Sequence, residues 1–423
     1  MSFVLLSMKL SGIKNLDKEI ELQFSNKILS KTINVRTNNV KAIYGSNGSG
    51  KTGIVCAVAL YKSLVLERDF ITISNSNGLL ENLINQLTST FSITMTFAEC
   101  EDSIPKRVLL HSIVVKNDNG KAYISSEELK ELHGTRLNDN SKWQNIYSVI
   151  EGELTLCKSK DLYDMTKNLL KTQSVPSIAF SNFITYRPSK KEDSSVYSKI
   201  STVWNFALNI RAMFNSYDNY FNKVDDLNTQ YLDSQKNDYL VPKSFYNLFE
   251  KRIGNLTRFL KVFKDDLEYI DIVKEEKNDK YICTLTLVYK DGRRIARKYE
   301  SSGIKKMMDL YASIRDADEG KIVFIDEFDA NIHDVVLIKL VDYIREYSDG
   351  QFVFTTHNLG PMDVLQKGKY SIDFLSEDSK ITSWVQMGNS SASSVYRKGV
   401  IKYSPFNIES FSFLGVFGDG TSE

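Results

Sequence analysis

Proline is scarce in this chain, with six residues in 423, and glycine is held to 21, which together exclude collagen-like and linker-dominated architectures. Cysteine is equally sparse. Cys56, Cys100, Cys157 and Cys283 stand far apart, with no C-x-x-C pair and no histidine at zinc-ligand spacing, so reduced core thiols in a cytoplasmic protein are expected. Net charge is almost absent: 54 basic residues against 53 acidic ones leave +1. No global field therefore advertises nucleic acid or a membrane surface, and any such contact must be a local patch. No apolar run approaches the roughly 20 residues a membrane helix needs. The N-terminus, Met1-Ser2-Phe3-Val4-Leu5-Leu6-Ser7-Met8-Lys9, turns polar too soon for an export signal. What remains is ordinary globular composition, 42% hydrophobic and 25% charged. The chain is long enough for a large core plus an insertion or second lobe.

The opening alternates around Gly12, with Leu6, Met8 and Leu10 before it and Ile20, Leu22 and Phe24 after it, and predicts two short strands. Val40 to Tyr44 predicts a third, which runs into a glycine cluster. From Thr52 to about Glu67 the chain is apolar nearly all round, as in a helix packed on a buried sheet. Residues 91–99 and 107–124 alternate about a turn at Asn117-Asp118-Asn119-Gly120, which predicts an antiparallel meander.

Between Pro188 and Pro242 apolar residues fall at Val196, Ile200, Val203, Ala207, Ile210, Phe214, Tyr217, Phe221 and Val224, a seven-residue repeat. A second run follows at Phe245, Phe249, Ile253, Leu256, Leu260, Phe263, Leu267 and Ile270. Two long helices forming an antiparallel pair or short coiled-coil arm is one reading; two stripes that each face a globular core is the other. A hairpin at 281–299 is then followed by helix 303–315, strand 322–325, helix 335–347 and strand 352–355.

Gly45-Ser46-Asn47-Gly48-Ser49-Gly50-Lys51-Thr52 matches G-x-x-x-x-G-K-[ST] between a strand and a helix, the context that a phosphate loop requires. Glycines let backbone N–H groups turn inward around phosphates, Lys51 neutralises their charge, and the Thr52 hydroxyl can ligate Mg²⁺. Lys321 to Glu327 reads as a buried strand ending in two carboxylates. Asp326 suits the metal-side acid and Glu327 the general base that deprotonates water, although acids at a strand end also cap turns. Phe352 to Asn358 repeats the layout and delivers His357, a candidate γ-phosphate sensor or a satisfied loop residue. Ser301-Ser302-Gly303 opens a helix, either as an ordinary cap or as an anion site. Arg293, Arg294, Arg297 and Lys298, with Arg107 and Lys121, offer a phosphate-backbone patch or solvated edge-strand charge.

Phosphate loop 45–52, Ser-Ser-Gly 301–303, carboxylate strand 322–327, the Asp329-Ala330-Asn331-Ile332-His333 segment and Thr-Thr-His 355–357 occur in the order of ABC-type ATPases. The long separation of the first motif from the second resembles RecF- and SMC-type ATPases. More narrowly, Glu-Ser-Ser-Gly-x-Lys-Lys, Ile-Asp-Glu-Phe-Asp-Ala-x-Ile-His and Phe-Thr-Thr-His-Asn resemble the overcoming-lysogenization-defect (OLD) and abortive-infection group of bacterial ATPases.

The resemblance implies an α/β P-loop NTPase of ABC-head type, a mixed sheet plus an antiparallel meander, with a long helical insertion. Expected divisions are a first lobe over 1–135, the insertion over 136–275 with a helical pair at 189–272, and a second lobe over 276–423. It further implies ATP and Mg²⁺ as cofactors. ATP would bind at Gly45 to Thr52, with Ser301, Ser302 and Gly303 closing on the nucleotide of a second subunit in a homodimer or higher homo-oligomer. A conformational switch in anti-phage defence follows, acting through a separate effector encoded nearby, for which a nuclease is one candidate. A RecF- or SMC-like DNA-maintenance ATPase and a nucleotide-binding scaffold with little turnover are the alternatives. OLD proteins carry a Toprim nuclease, whereas the stretch after His357 is too short for one and contains no Asp-x-Asp. Order alone admits Gln144 or Gln173 as a Q-loop residue.

Overall fold

The computed structural model describes residues 2–157, 159–183, 191–214, 230–233, 238–386 and 390–400. Its centre is a six-stranded sheet in the order β18-β17-β3-β16-β15-β9. The members are β3 (Val40–Gly45), β9 (Ile210–Met213), β15 (Ile322–Ile325), β16 (Gln351–Thr355), β17 (Ile372–Leu375) and β18 (Ile381–Ser383). All pair in parallel except β18, which lies antiparallel on β17. Every residue of β3, β15 and β16 is buried, as strands covered on both faces must be.

The two faces carry different cores. Ile43, Ile322, Phe324 and Val353 point into one that also holds α1 (Lys51–Leu66), α5 (Val175–Phe183) and α6 (Lys191–Leu208). Val40, Ala42, Tyr44, Val323, Ile325, Phe352 and Phe354 point into the other, with α7 (Tyr246–Lys261), α8 (Ser302–Asp318) and α9 (Asp334–Tyr347). Helix α1 is buried along almost its whole length, because the first core continues beyond it into a seven-stranded antiparallel sheet.

That sheet runs β2-β1-β4-β5-β6-β7-β8. It contains β1 (Ser2–Ser11), β2 (Ile20–Gln23), β4 (Thr90–Glu101), β5 (Ile104–Asp118), β6 (Lys121–Leu132), β7 (Trp143–Ile150) and β8 (Glu153–Cys157). Short helices α2 (Phe70–Ser76), α3 (Leu79–Leu83) and α4 (Lys160–Thr166) border it. Gln351 joins it to the parallel sheet: its Oε1 accepts the Leu5 amide at 2.7 Å and its Nε2 donates to the Leu5 carbonyl at 2.9 Å, both buried. A third sheet, β10 (Gln230–Asp233), β11 (Asp238–Pro242), β13 (Lys280–Tyr289) and β12 (Leu267–Lys277), with β14 (Arg294–Ala296) on β13, carries α7. Helices α10 (Gly360–Leu365) and α11 (Ala392–Arg397) complete the second core. Of the cysteines, Cys56, Cys100 and Cys283 are buried and Cys157 half-buried, none of them in a disulfide.

The expected helical pair at 189–272 is corrected. Helix α6 stops at Leu208, and Ile210–Met213 becomes an edge strand parallel to β15, with Ile210 opposite Ile322. Helix α7 stops at Lys261, and Leu267 and Ile270 belong to β12. The seven-residue spacing ran unbroken through two changes of secondary structure. A four-residue strand is too short to impose its own period, and pairing with β15 overrides the helical pattern. Tyr217, Phe221 and Val224 lie outside the described residues. Each stripe faces a globular core: Val196, Ile200, Val203 and Ala207 the first, Phe249, Ile253, Leu256 and Leu260 the second. Within α6, Phe206 stacks on Phe97 with centroids 3.8 Å apart. Nor is 136–275 a helical insertion, since it supplies β7 and β8 to the antiparallel sheet, β9 to the parallel one and β10 to β12 to the third.

Candidate functional site

Strands β3, β16 and β15 are neighbours, with β16 in the middle, and their C-terminal ends deliver Gly45, Thr355 and Ile325 to one edge of the sheet. The motifs that follow these strands therefore meet without long side chains having to reach. A cavity of about 280 Å³ opens there, lined by Lys14, Asn15, Asn47, Gly48, Gly50, Lys51, Thr52, Gly53, Asp326, Glu327 and His357. Residues separated by some three hundred positions in sequence thus share one wall.

The loop from Gly45 to Lys51 needs its glycines. Gly48 and Gly50 have φ of +81° and +101°, where a side chain is strained. A Cβ on Gly45 would lie 2.5 Å from the Leu375 carbonyl oxygen. Helix α1 starts at Lys51 with Gly50 as N-cap and no side-chain cap, and its first turn holds no acid. Its leading N–H groups are therefore available to an anion. Lys51 Nζ donates to the carbonyls of Gly45 and Ser46, each at 2.8 Å. Desolvation holds its pKa below the ordinary lysine range, against the opposing pull of Asp326, Glu327 and Asp329. Ser49 Oγ is buried with no partner in the fold. Asn15 Nδ2 donates to the Gly48 carbonyl at 2.9 Å, so the turn between β1 and β2 buttresses the loop. Ser46 Oγ donates to Glu377 Oε1 at 2.8 Å from the turn after β17.

Asp326 is buried and Glu327 exposed. Thr355 Oγ1 donates to Asp326 Oδ1 at 2.7 Å and accepts the amide of Glu327 at 2.8 Å. Glu327 adopts a left-handed backbone, φ +48°, and its carbonyl accepts Lys306 Nζ at 3.1 Å from α8. Lys306 is buried, and desolvation lowers its pKa although Asp309, Asp329, Glu327 and Asp326 oppose the shift. The His357 amide donates to Asp329 Oδ2 at 3.3 Å. Its imidazole titrates below the ordinary histidine range, first through desolvation and then through the Lys51 charge, with the three acids pulling the other way.

The sequence-derived site is gathered in part. Asn47, Gly48, Gly50, Lys51, Thr52, Asp326, Glu327 and His357 line the cavity; Gly45, Ser46 and Ser49 complete the loop behind it. Ser301, Ser302 and Gly303 do not line it. Ser301 caps α8, its Oγ accepting the Ile304 amide, Ser302 is exposed, and a Cβ on Gly303 would lie 3.1 Å from the Asn331 carbonyl. Neither proposed Q-loop residue reaches the cavity: Gln144 is on β7, and buried Gln173 adjoins Ser174, which bonds the Leu64 carbonyl late in α1. Sequence reasoning missed Lys14 and Asn15, and gave no individual role to Lys306 and Thr355, which stood inside the quoted motifs. Thr355 carried a signal, being the last strand residue and the first of the Thr-Thr-His motif. The three arginines of the basic hairpin already have carboxylate partners. Arg293 pairs with Asp291 at 2.5 Å and Asp266 at 3.3 Å, Arg294 pairs with Asp271, and buried Arg297 pairs with Asp309.

The residues fit a nucleoside triphosphate and a divalent cation. The unpartnered Ser49 hydroxyl, the uncapped α1 terminus and the positive-φ glycines form an anion cradle. No group of three His, Cys, Asp or Glu side chains is placed to hold a metal by itself among the described residues. A threonine hydroxyl and one carboxylate are instead what Mg²⁺ takes when substrate phosphates and water supply the remaining ligands. The strand order, the phosphate loop and this geometry define an α/β P-loop nucleotide-binding fold with mixed parallel and antiparallel sheets.

Residues 179–363 match a family described as "AAA domain, putative AbiEii toxin, Type IV TA system". The match covers less than half of the chain and excludes the phosphate loop. No curated protein matches. Among solved structures, the Smc head domain of Pyrococcus furiosus, with an extended coiled coil and bound to the C-terminal domain of ScpA, is 14% identical. It aligns over 90% of this chain and 96% of its own at a TM-score of 0.42. The SMC head domain of Thermotoga maritima is also 14% identical, over 90% and 99%, at 0.33. The Smc head of Pyrococcus yayanosii is 10% identical, over 94% and 100%, at 0.42.

Proposed function

We propose that this chain binds ATP with Mg²⁺ and hydrolyses it, and that it uses the cycle as a conformational switch between two head domains. The observation that carries the reading is the single cavity in which the phosphate loop, Asp326, Glu327 and His357 meet. The loop amides and Lys51 hold the phosphates. Thr52 and Asp326 would hold the magnesium ion, which when bound neutralises phosphate charge. Glu327 accepts the proton of the water that attacks the γ-phosphorus, and His357 donates to a γ-phosphate oxygen. Ser301, Ser302 and Gly303, exposed or half-exposed and away from their own chain's cavity, close over the nucleotide of a second copy.

Glu327→Gln and Lys51→Ala separate these roles. Glu327→Gln retains ATP and accumulates the closed dimer without turnover, whereas Lys51→Ala loses ATP itself. Equal loss of nucleotide affinity in both variants removes Glu327 from the chemistry, and a wild-type chain that holds ATP without turnover identifies a scaffold.

The setting we infer is a cytoplasmic anti-phage system of the abortive-infection kind, in which a separate protein performs the toxic step. The Glu-Ser-Ser-Gly and Ile-Asp-Glu-Phe-Asp-Ala motifs and the toxin-related name of the matching family support it. Expressing the chain alone and with its genomic neighbour during phage challenge tests it; full protection by the chain alone discards the separate effector. DNA-stimulated turnover would favour the RecF- or SMC-like reading. That reading ranks second because the hairpin arginines are already engaged by carboxylates.

A further inference from the structure

Thr355 ends β16 and is fully buried. A hydroxyl has one hydrogen to give and lone pairs to receive, and this one is used in both directions. It donates to Asp326 Oδ1 and accepts from the Glu327 amide, at 2.7 and 2.8 Å. The Thr355 carbonyl accepts the next amide, that of Phe328, at 3.0 Å. Three consecutive residues of the carboxylate turn therefore hang from one residue of the neighbouring strand. The arrangement opposes a specific cost. Glu327 is a side-chain-bearing residue at φ +48°, a strained conformation that persists only when its surroundings hold it.

We propose that Thr355 is the positioning residue of this site. Its hydroxyl fixes one oxygen of Asp326 as an acceptor and pins the Glu327 amide, so that the two carboxylates keep separate orientations. The proposal rests on the reading of Asp326 as the metal-side acid and Glu327 as the base. Thr355 does not line the cavity, so its contribution passes through those two residues.

Three full-length variants test it: Thr355→Val, which keeps shape and strand preference but removes both bonds; Thr355→Ser, which keeps both; and Glu327→Gln as reference. Turnover is measured against Mg²⁺ concentration. Binding of a fluorescent ATP analogue is measured by anisotropy with Mg²⁺ and with EDTA, alongside Tm. Loss of a residue that orients metal ligands typically costs 10–100-fold, so Thr355→Val is expected to lower kcat by about that factor and to raise the Mg²⁺ needed for half-maximal turnover. Analogue affinity in EDTA, which reads the phosphate loop alone, stays at the wild-type value, while the gain on adding Mg²⁺ shrinks. Thr355→Ser restores both readouts.

Thr355→Val with wild-type turnover and Mg²⁺ dependence overturns the proposal. So does Thr355→Ser as impaired as Thr355→Val at wild-type Tm, or equal affinity losses with Mg²⁺ and EDTA. Should Thr355→Val not fold, Thr355→Cys, with a poor donor of similar size, takes its place with the same expectations. If the wild type fails to turn over ATP, the hydrolytic reading has failed instead, and the Mg²⁺-dependent gain in analogue affinity still decides the role of Thr355.

Discussion

The side chain of Leu16 occupies the space that any residue other than glycine would need at position 50: a Cβ there would lie 2.6 Å from Leu16 Cδ2. The phosphate loop is thus moulded by the turn between β1 and β2 as well as by its own sequence. Gly50→Ala meets two penalties, the collision and the φ of +101°. It should lower Tm and abolish binding of a fluorescent ATP analogue. Adding Leu16→Ala removes the collision but empties a buried core position and leaves the φ penalty, so the double variant should stay below wild-type Tm and regain none of the binding. Calorimetry and anisotropy check both.

The composite site predicts complementation. Lys51→Ala damages the cradle and Ser302→Arg the exposed α8 terminus, so neither homodimer should hydrolyse ATP. An equal mixture with subunit exchange contains one intact site in each mixed dimer and should recover about a quarter of wild-type activity. Activity that stays at the parental level after demonstrated exchange would contradict a shared site.

His357 should titrate below 6.5 in the nucleotide-free protein, because desolvation and the Lys51 charge both disfavour the imidazolium. The sign follows from linkage. The folded state binds this proton less readily than the unfolded state, so the contribution to stability is complete above the unfolded pKa and is lost as pH falls through the folded one. An NMR titration of the His357 ring should move upward in Lys51→Ala and downward in Asp329→Asn. The opposite order would show that the ring does not sense these charges.

Helix α6 should behave as core. Phe206→Ala removes a ring stacked on Phe97 and is expected to cost about 3–5 kcal/mol. Leu208→Ala, at a half-exposed position, should cost well under 1 kcal/mol by comparison. Urea denaturation of the two variants distinguishes a core helix from the free arm that the heptad spacing suggested.

The parts of the fold legible in the sequence were those where a local pattern and tertiary placement agree. Gly45 to Thr52 could be read because a phosphate loop needs glycine at fixed positions between a strand and a helix, and the structure places it there. Asp326, Glu327 and His357 were legible as polar residues that follow fully buried strands. The insertion was misread because apolar spacing cannot distinguish a continuing helix from a helix that turns into a four-residue strand such as Ile210–Met213. Lys14 and Asn15, and the role of Lys306 within its motif, were invisible because these roles come from which strands neighbour which. That order depends on pairings such as Ile325 with Phe354, between segments with no local signature of contact. The charge of the hairpin was legible, but its neutralisation by Asp266, Asp271 and Asp309 was not.

The double hydrogen bond between the Gln351 side chain and the main chain of Leu5 lies at the opposite end of β16 from Thr355. A planar amide held at both its oxygen and its nitrogen resists shear in the plane of the pair, so the two sheets cannot slide past each other without breaking both bonds together. A five-residue strand spans roughly 16 Å at about 3.3 Å per residue and is stiff along its axis. One short strand is thus anchored at both ends, by Gln351 to the main chain of β1 and by Thr355 to the carboxylate turn.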